Sequence, residues 1–281
     1  MGTVLAISSQ VARGHVGLSA AVPALQALGH SVIALPTVML SNHPGHGQVA
    51  GQRIDPTLLR QMLATLDGHG WLKEVDTVLS GYLPTSEHVA VVAEAVALVR
   101  GHTPSAMYAC DPVLGDDPKG LYIAEDAARA LAETLVPLAD VTFPNRFELE
   151  WLTGERVTDA ASAIRAAAKL GAEWTVATSI PHGTAELATI AIGREEAWLS
   201  AVARQENVPN GTGDLFAALF TGYVRQGEQT AQSALATAVA MVERVICASR
   251  GRDELNLVAM LETLNGRGAV EPAAVSHVEM H

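Results

Sequence analysis

The chain has 281 residues, a length typical of one or two domains. Hydrophobic residues make up 49% of it and charged residues 17%, which excludes a disordered polar chain. The net charge of −12 would repel a phosphate backbone, so nucleic-acid binding is not expected. A local phosphate site stays compatible with this charge, because backbone N–H groups and a metal ion can hold phosphates.

The two cysteines, Cys110 and Cys247, are too few for a disulfide framework or a zinc quartet. The N-terminus has no basic segment before an apolar run, and no uninterrupted apolar run approaches the ~18–20 residues of a membrane-spanning helix. These features predict a soluble, cytoplasmic protein without membrane contact.

Short apolar runs alternate with stretches of helical spacing along most of the chain. The predicted strands are Thr3–Ile7, Ser31–Leu35, Thr77–Ser80, Ala106–Cys110, Val141–Thr142, Thr175–Thr178, Leu187–Ile192 and Ala197–Val202. The predicted helices are Val16–Leu28, Asp55–Leu66, Glu87–Val99, Ala124–Leu135, Phe147–Leu152, Asp159–Leu170, Asp214–Val224, Gln232–Cys247 and Asp253–Leu264. Ser41–Gly51 is predicted to be a loop or flap, and the last two strands a hairpin of edge strands.

This alternation predicts an α/β fold with a mostly parallel central sheet and helices on both faces. No linker divides the chain, so residues 1–281 are predicted to form a single domain, with a flexible tail from about 267. Ligands of such sheets bind beyond the carboxyl ends of the strands. Ser9, Asp111 and Thr178 each lie at or just past such an end, so one crevice is expected to gather them.

The sharpest local signal is the sequence Asn-Gly-Thr-Gly-Asp at 210–214, which opens a strongly helical stretch. The glycines allow close backbone approach, and free N–H groups at the helix start favour an anion. Asp214 is either a plain helix cap or the base that takes a proton from an attacking hydroxyl during phosphoryl transfer. From the residues alone these two interpretations stay equally open.

Other phosphate motifs, such as Gly-x-x-x-x-Gly-Lys-Ser/Thr or Gly-x-Gly-x-x-Gly after the first strand, are absent from the sequence. Taken alone, Asp111 before a proline fits ordinary turn chemistry, Glu148 an exposed first-turn carboxylate and Tyr82 a packed aromatic. The histidine pairs 43/46 and 277/281 lack clustered carboxylates, so no histidine metal site is predicted.

The stretch Gly211–Ala218 resembles the anion-hole signature of the ribokinase superfamily. Further segments resemble motifs of the pyridoxal kinases within it, in consistent order from Val4 to about Leu219: Ile7–Val11, Gly14–Gly17, Ser41–His43, Ser80–Tyr82, Cys110–Asp116 and Pro144–Glu148. The resemblance implies a three-layer ribokinase-like fold, a homodimer, and ATP-dependent phosphorylation of the 5′-hydroxyl of pyridoxal.

The resemblance also implies residue roles. Asp214 would be the base, and Gly211, Thr212 and Gly213 would form the anion hole for the γ-phosphate. Mg²⁺ would be held, partly through water, by Asp111, Asp116 and Glu148. The nucleotide would further contact Phe143, Asn145, Thr178 and Ser179. The pyridine substrate would contact Ser9, Val38, His43, Pro44 and Tyr82.

Three departures from the family pattern modify these expectations. The flap of related kinases commonly reads Ser-Asn-His-Thr-x-Tyr, whereas here Pro44 lacks the hydroxyl and the N–H, which predicts a weakened flap contact, and His46 replaces the tyrosine. Phe143 replaces a threonine beside a monovalent cation, which predicts weakened dependence on K⁺ or Na⁺. The stretch Val202–Pro209, which should cover the nucleotide, is short.

Two alternative functions remain from the sequence. A hydroxymethylpyrimidine kinase would share the fold and the chemistry, although the segments Ser80–Tyr82 and Cys110–Asp116 favour pyridoxal. A non-catalytic binder of pyridoxal or its phosphate is suggested by Pro44 and Phe143, whereas Asp214 behind its glycine turn argues against it.

Overall fold

The computed structural model describes residues 2–225, 230–263 and 271–280. The strands in this part of the chain are β1 (Thr3–Val11), β2 (Ser31–Leu40), β3 (Gly51–Arg53), β4 (Val75–Ser80), β5 (Met107–Cys110), β6 (Gly115–Asp116), β7 (Gly120–Leu121), β8 (Val141–Thr142), β9 (Trp174–His182), β10 (Glu186–Ile192), β11 (Ala197–Ala203) and β12 (Ser276–Val278). The helices are α1 (Leu18–Ala27), α2 (Pro56–Gly68), α3 (Ser86–His102), α4 (Glu125–Thr134), α5 (Arg146–Thr153), α6 (Ala160–Ala167), α7 (Thr212–Arg225), α8 (Ala231–Ala248) and α9 (Leu257–Glu262).

Ten of the strands form one sheet in the order β12-β11-β10-β9-β8-β5-β4-β1-β2-β3. The central strands from β2 to β9 pair in parallel, whereas β3 at one edge and β10, β11 and β12 at the other pair antiparallel. β6 and β7 form a separate small hairpin. The parallel centre explains why its strands end at one common edge.

Both faces of the central sheet are covered, because consecutive strand residues point to opposite sides and both sides are apolar. Val4 and Leu79 belong to a core built with α1, α7 and α8, whereas their neighbours Leu5 and Val78 belong to a core built with α2, α3, α4 and α6. This arrangement confirms the predicted three-layer α/β fold.

The structure corrects the prediction for the tail. Residues 267–270 lie outside the described residues, but residues 271–280 are ordered, and Ser276–Val278 pair with β11. Val278 and Met280 pack on the core, and the ring of His277 meets Trp198 edge-on with centroids 5.2 Å apart. Val278 and Met280, spaced two apart, give this segment a partly buried side. The polar residues around them gave no sign of a strand in the sequence.

This edge strand also corrects the prediction that β10 and β11 are edge strands, because both lie inside the sheet. The predicted helix Asp253–Leu264 begins only at Leu257, and Leu264 lies outside the described residues. β1 and β2 run several residues further than predicted, because they pair with each other as far as Val11 and Leu40.

By length and composition, one described helix, α8, could cross a membrane. Core helices of globular proteins pass the same test, so this is weak evidence. Here α8 packs against α7, β10 and β11, and residues such as Leu235 and Val245 are fully buried.

Candidate active site

The carboxyl ends of β1, β4 and β5 open into one pocket in the middle of the sheet edge. Asp111 follows β5 directly and lines this pocket. Asp214, at the start of α7, lines it as well. Other residues that line it are Ala6, Ser8, Gly17, Leu18, Ala21, Leu79, Ser80, Gly81 and Ala217. The fold therefore brings together two of the predicted functional carboxylates.

Asp214 lies in the first turn of α7, directly after the glycine turn. Gly211 has φ +101°, and a Cβ there would overlap the carbonyl oxygen of His15, so both the backbone angle and the space require glycine. Leu215 makes the first helical bond, to Gly211 O, over 3.0 Å. The N–H groups of Thr212 and Gly213 therefore have no acceptor within the helix and form an anion-favouring helix start.

The pKa of Asp214 is raised to about 6, because partial burial disfavours the carboxylate. Hydrogen bonds from the backbone N–H of Gly17 and from its own N–H oppose this rise. At neutral pH the carboxyl group is therefore mainly ionised but holds a proton more strongly than a free aspartate does. Such a group is suited to accept a proton from an alcohol.

Asp111 and Glu148 form a buried acidic pair on the other side of the pocket. Asp111 is 8% exposed and Glu148 3% exposed. Burial first, and then the charges of Glu148 and Asp214, raise the pKa of Asp111 well above its usual value. Burial also raises the pKa of Glu148 to about 7, although hydrogen bonds from three backbone N–H groups oppose it. Three carboxyl groups so placed favour the arrival of a cation.

The start of α5 explains why Glu148 is held so firmly. The side chain of Asn145 accepts from Glu148 N, and Glu148 Oε2 accepts from Asn145 N over 2.9 Å, which makes a capping box. Glu148 Oε1 accepts from Leu114 N over 2.7 Å, and Asn145 Nδ2 donates to Gly115 O. Asn145 and Glu148 thus fasten the segment after β5 to α5.

The backbone of that segment is strained at Val113, which has φ +43°. A β-branched residue rarely adopts this region, and such strain is common where a site is held in shape by its surroundings. Val113 N donates to the Asp111 carboxylate. The strained turn therefore serves to direct Asp111 into the pocket.

Asp116 lies on the exposed side of the hairpin β6–β7, and its charge contributes to the raised pKa of Glu148. Among the described residues, no three His, Cys, Asp or Glu side chains are arranged to hold a metal ion directly. The oxygen donors Asp111, Glu148 and Asp116 match the preference of Mg²⁺ for carboxylates supplemented by water and substrate phosphates. These residues therefore fit Mg²⁺ as a partly hydrated ion.

The end of β1 meets the segment after β4 in the predicted substrate region. Ser8 Oγ accepts from Tyr82 N over 3.0 Å, and the Ser9 side chain lies against Gly17. A Cβ on Gly81 would overlap Ser8 Oγ and lie 3.9 Å from Asp214 Oδ1. A side chain at residue 81 would therefore fill space next to the Asp214 carboxyl group.

Val38 and Tyr82 adjoin the same region. Val38 is buried in β2, and the side chain of its neighbour Thr37 donates to Tyr82 O over 2.8 Å. Tyr82 is half-buried, and burial raises the pKa of its phenol.

The flap Ser41–Gly51 contains the remaining predicted substrate residues, in a short 3-10 turn over Pro44–His46. His43 Nδ1 accepts from Gly45 N over 3.1 Å, and Pro44 is exposed at the first position of the turn. A Cβ on Gly45 would lie 3.4 Å from Asn210 Nδ2, so the flap reaches the residue before the anion-hole turn.

On the predicted nucleotide side, Thr178 forms an isolated parallel β-bridge with Asn145, and its N–H donates to Pro144 O over 2.9 Å. Ser179 is exposed and has φ +59° at an irregularity of β9. Both residues therefore lie beside the start of α5.

Phe143 differs from the prediction made for its side chain. It is 4% exposed, and its ring packs on Phe220 and Phe216 of α7 with centroids 5.6 and 6.3 Å apart. The ring therefore belongs to the core, which does not favour a direct contact between this side chain and a nucleotide. The physical reason is that burial of an aromatic ring against α7 is more favourable than its exposure to a polar nucleotide site.

Sequence reasoning missed several residues of the pocket. Ser8 was passed over in favour of Ser9, and Gly17 and Gly81 were not assigned any role. Gly81 and Asp214 are far apart in sequence, so no local pattern predicts that they lie close together. The signal available was the glycine itself, placed directly after a strand end.

This sheet order, with a carboxylate behind a glycine turn at the carboxyl edge, is that of the ribokinase-like kinases. The pyridoxal kinase of Leishmania donovani, solved in complex with ADP and pyridoxamine, has a TM-score of 0.92 and 30% sequence identity, and the match covers 99% of this chain and 100% of that one.

A family model described as phosphomethylpyrimidine kinase matches residues 13–256. Pyridoxal kinase PdxY of Corynebacterium diphtheriae is 39% identical over 246 residues, covering 85% of this chain and 86% of the relative. PdxY of Leifsonia xyli is 38% identical over 270 residues, covering 92% and 94%. The chain belongs to the pyridoxal kinase family within this group of kinases.

Proposed function

We propose that this chain transfers the γ-phosphoryl group of ATP to the 5′-hydroxyl of pyridoxal, with Asp214 as the base. The observation that carries the proposal is the half-buried Asp214, with its pKa near 6, at the glycine turn that opens α7. The relatives named pyridoxal kinase, and the Leishmania donovani kinase complexed with ADP and pyridoxamine, support the choice of substrates.

In this mechanism the substrate alcohol lies in front of Gly81, where the missing side chain leaves room beside Asp214. The carboxylate, oriented by the N–H of Gly17, takes the hydroxyl proton as the oxygen attacks the γ-phosphorus. The bond from the γ-phosphorus to the β–γ bridging oxygen breaks, and ADP leaves with that oxygen. The N–H groups of Thr212 and Gly213 stabilise the charge of the phosphoryl oxygens in transfer, because they are fixed in place before the reaction. Ser9, Val38, His43, Pro44 and Tyr82 are proposed to enclose the pyridine ring.

The nucleotide is proposed to lie between α7 and the start of α5, in contact with Asn145, Thr178 and Ser179. Asp111, Glu148 and Asp116 would hold Mg²⁺ through oxygen atoms and water. When bound, the ion would neutralise phosphate charge that these carboxylates otherwise repel. A monovalent cation, K⁺ or Na⁺, is proposed only as an accessory ion, because Phe143 supplies no side-chain oxygen.

The proposal extends to the cellular location and the oligomeric state. A kinase of this kind requires ATP, which favours the cytoplasm as its location. By resemblance, the chain is proposed to form a homodimer. Analytical ultracentrifugation at micromolar concentration checks the second property, and a monomer throughout would contradict it.

The substitution Asp214→Asn tests the assignment of the base. It removes the proton acceptor but keeps the size of the side chain, so we expect turnover to fall by about 100- to 10,000-fold while ATP binding persists. Pyridoxal-dependent ADP formation and ATP binding by calorimetry measure the two effects. Asp126→Asn, which changes an exposed first-turn carboxylate of α4, is the matched control and should keep full activity.

If Asp214→Asn keeps activity within a few-fold of the parent and only lowers the melting temperature, Asp214 is a helix cap and the mechanism is wrong.

The matching family model is described as a phosphomethylpyrimidine kinase, which supports a pyrimidine as the second candidate substrate, and hydroxymethylpyrimidine is the one to test. Turnover with pyridoxal, pyridoxamine and hydroxymethylpyrimidine compared side by side decides between them. We expect kcat/KM to be highest for pyridoxal. A preference for the pyrimidine would indicate a hydroxymethylpyrimidine kinase. Binding of pyridoxal without any turnover would indicate a non-catalytic binder.

A further inference from the structure

The tip of the flap, residues 43–47, is stabilised by hydrogen bonds within the flap. His46 N donates to His43 O over 3.1 Å, and Gly47 N donates to Pro44 O over 3.0 Å. The base of the flap is closed separately, where Ser41 N donates to Ala50 O over 2.7 Å and Ala50 N to Ser41 Oγ over 3.0 Å. Asn42 Nδ2 links the two parts, because it donates to His43 O over 3.1 Å and to Gln48 O over 3.0 Å. These bonds define the shape of the flap itself.

An acidic side chain far along the chain meets the flap tip. Glu254 Oε1 lies 3.0 Å from His46 Nε2, with side chains 16% and 27% exposed. This buried oxygen accepts no hydrogen bond from the described residues, so its contact with His46 is one of charge and proximity. A pair so shielded from water contributes more than a fully exposed one.

Glu254 is itself held on a rigid support. The adjacent Leu255 and the nearby Leu257 are 1% and 2% exposed, and Asn256 N donates to Ser249 Oγ at the end of α8 over 2.8 Å. Burial and this bond prevent the segment from following the flap. Glu254 is therefore held by the core and by α8, independently of the flap.

The same carboxylate also packs on the loop that holds the base. It occupies the place where a Cβ would stand on Gly14, which has φ +99°. Three residues further on, the N–H of Gly17 bonds to Asp214. Glu254 therefore contacts both the flap and the loop that orients the catalytic carboxylate.

We propose that Glu254 and His46 form a latch that positions the flap over the substrate, with Glu254 as its fixed half. Both are positioning residues, since they act through the flap. The inference rests on the proposed function. It assigns a role to His46, which replaces the tyrosine common in related flaps, and it allows a flap with Pro44 to close without the missing hydroxyl.

Glu254→Gln tests the latch in the full-length enzyme. We expect the KM for pyridoxal to rise about tenfold, with kcat and the KM for ATP changed less than threefold, because the flap encloses the pyridine substrate. His46→Ala should give the same rise. In the double variant the rise should be no larger than in either single variant, because both remove one interaction.

Asp253→Asn is the matched control. Asp253 is the neighbouring carboxylate and pairs with Arg13 over 2.8 Å, but both side chains are about 60% exposed. We expect its kinetics to equal those of the parent. An equal effect of Asp253→Asn and Glu254→Gln, or additive effects of His46→Ala and Glu254→Gln, would overturn the latch.

Hydrogen exchange of the ligand-free protein gives a readout that needs no activity. In Glu254→Gln the amides of His46 and Gly47 should exchange faster, whereas those of Ser41 and Ala50 at the flap base should not change. Unchanged exchange at the tip would refute the latch. Failure of the parent enzyme to phosphorylate pyridoxal would refute the proposed function and leave the exchange experiment valid.

Discussion

The surroundings of Asp214 come from its own helix and from two distant segments. Its own helix supplies the start of α7, the loop after β1 supplies the N–H of Gly17, and the segment after β4 supplies Gly81. Burial raises the pKa to about 6 and the two N–H bonds limit the rise. The result is a carboxyl group that exchanges a proton close to neutral pH.

The pH profile follows from this pKa. Asp214, the proposed base, must be deprotonated to act, so kcat/KM for pyridoxal should fall tenfold per pH unit below about pH 6 and level off above it. Glu148, whose pKa is raised to about 7, also titrates in this range. The pH profile of Glu148→Gln shows how much Glu148 contributes to the acid limb. An acid limb centred near pH 4 would show that Asp214 is not perturbed.

Phe143 shows how one residue can combine packing with a predicted effect on ion dependence. Its ring contacts Phe216 and Phe220 on the helix that begins with the anion hole. The residue therefore stabilises α7 directly, whatever ion lies nearby.

Phe143→Thr should increase the activation of the enzyme by K⁺, because it restores a side-chain oxygen. It should also lower the free energy of unfolding by about 3 kcal/mol through the lost ring contacts. Turnover over a KCl series and chemical denaturation measure the two effects. Phe143→Leu, which keeps apolar packing without oxygen, is the control, and an unchanged salt profile in Phe143→Thr would contradict the idea.

Among the elements, the turn before α7 has a closely restricted geometry. Gly211 has no room for a Cβ because the carbonyl of His15 occupies that space, and its φ of +101° is unfavourable for any other residue. The turn thus ties α7 to the loop that follows β1. A displaced turn would move the N–H groups and the base together.

Gly211→Ala should therefore reduce kcat by at least about 100-fold, as expected when fixed anion-stabilising donors are lost, and should lower the melting temperature. Gly171→Ala is a suitable control, because Gly171 also has positive φ, +74°, but has open space around it. The control should lose a little stability and no activity. A fully active Gly211→Ala would show that the turn does not have to be tight.

The whole sheet depends on its last strand for protection at one edge. β12 covers β11, which would otherwise expose a row of unpaired N–H and C=O groups. Val278 and Met280 add buried apolar surface next to it. The tail is therefore part of the fold.

Deletion of residues 275–281 should lower the free energy of unfolding by about 1–3 kcal/mol and increase aggregation, because the β11 edge becomes free. Thermal unfolding and light scattering measure these changes. Glu271→Ala, an exposed substitution at the start of the tail, is the control. If the truncated chain melts and scatters like the parent, β12 does not protect the edge.

Local patterns in the sequence determined much of this protein. Apolar runs of period two or of helical spacing predicted the parallel sheet and its two helical layers, because each strand and helix must bury one side wherever it lies. The string Gly-Thr-Gly-Asp predicted the helix start and its carboxylate, because those features are set by adjacent residues.

Only the tertiary structure decided which distant groups meet. It placed Ser8 and Gly81 beside Asp214, directed the Phe143 ring into the core, added β12 to the sheet and brought Glu254 to the flap. None of these contacts has a signature in its own segment, because the energy of each depends on a partner dozens of residues or more away. The sequence by itself determined most of the elements and the carboxylate at the start of α7, and the packing of the sheet determined the shape of the pocket around it.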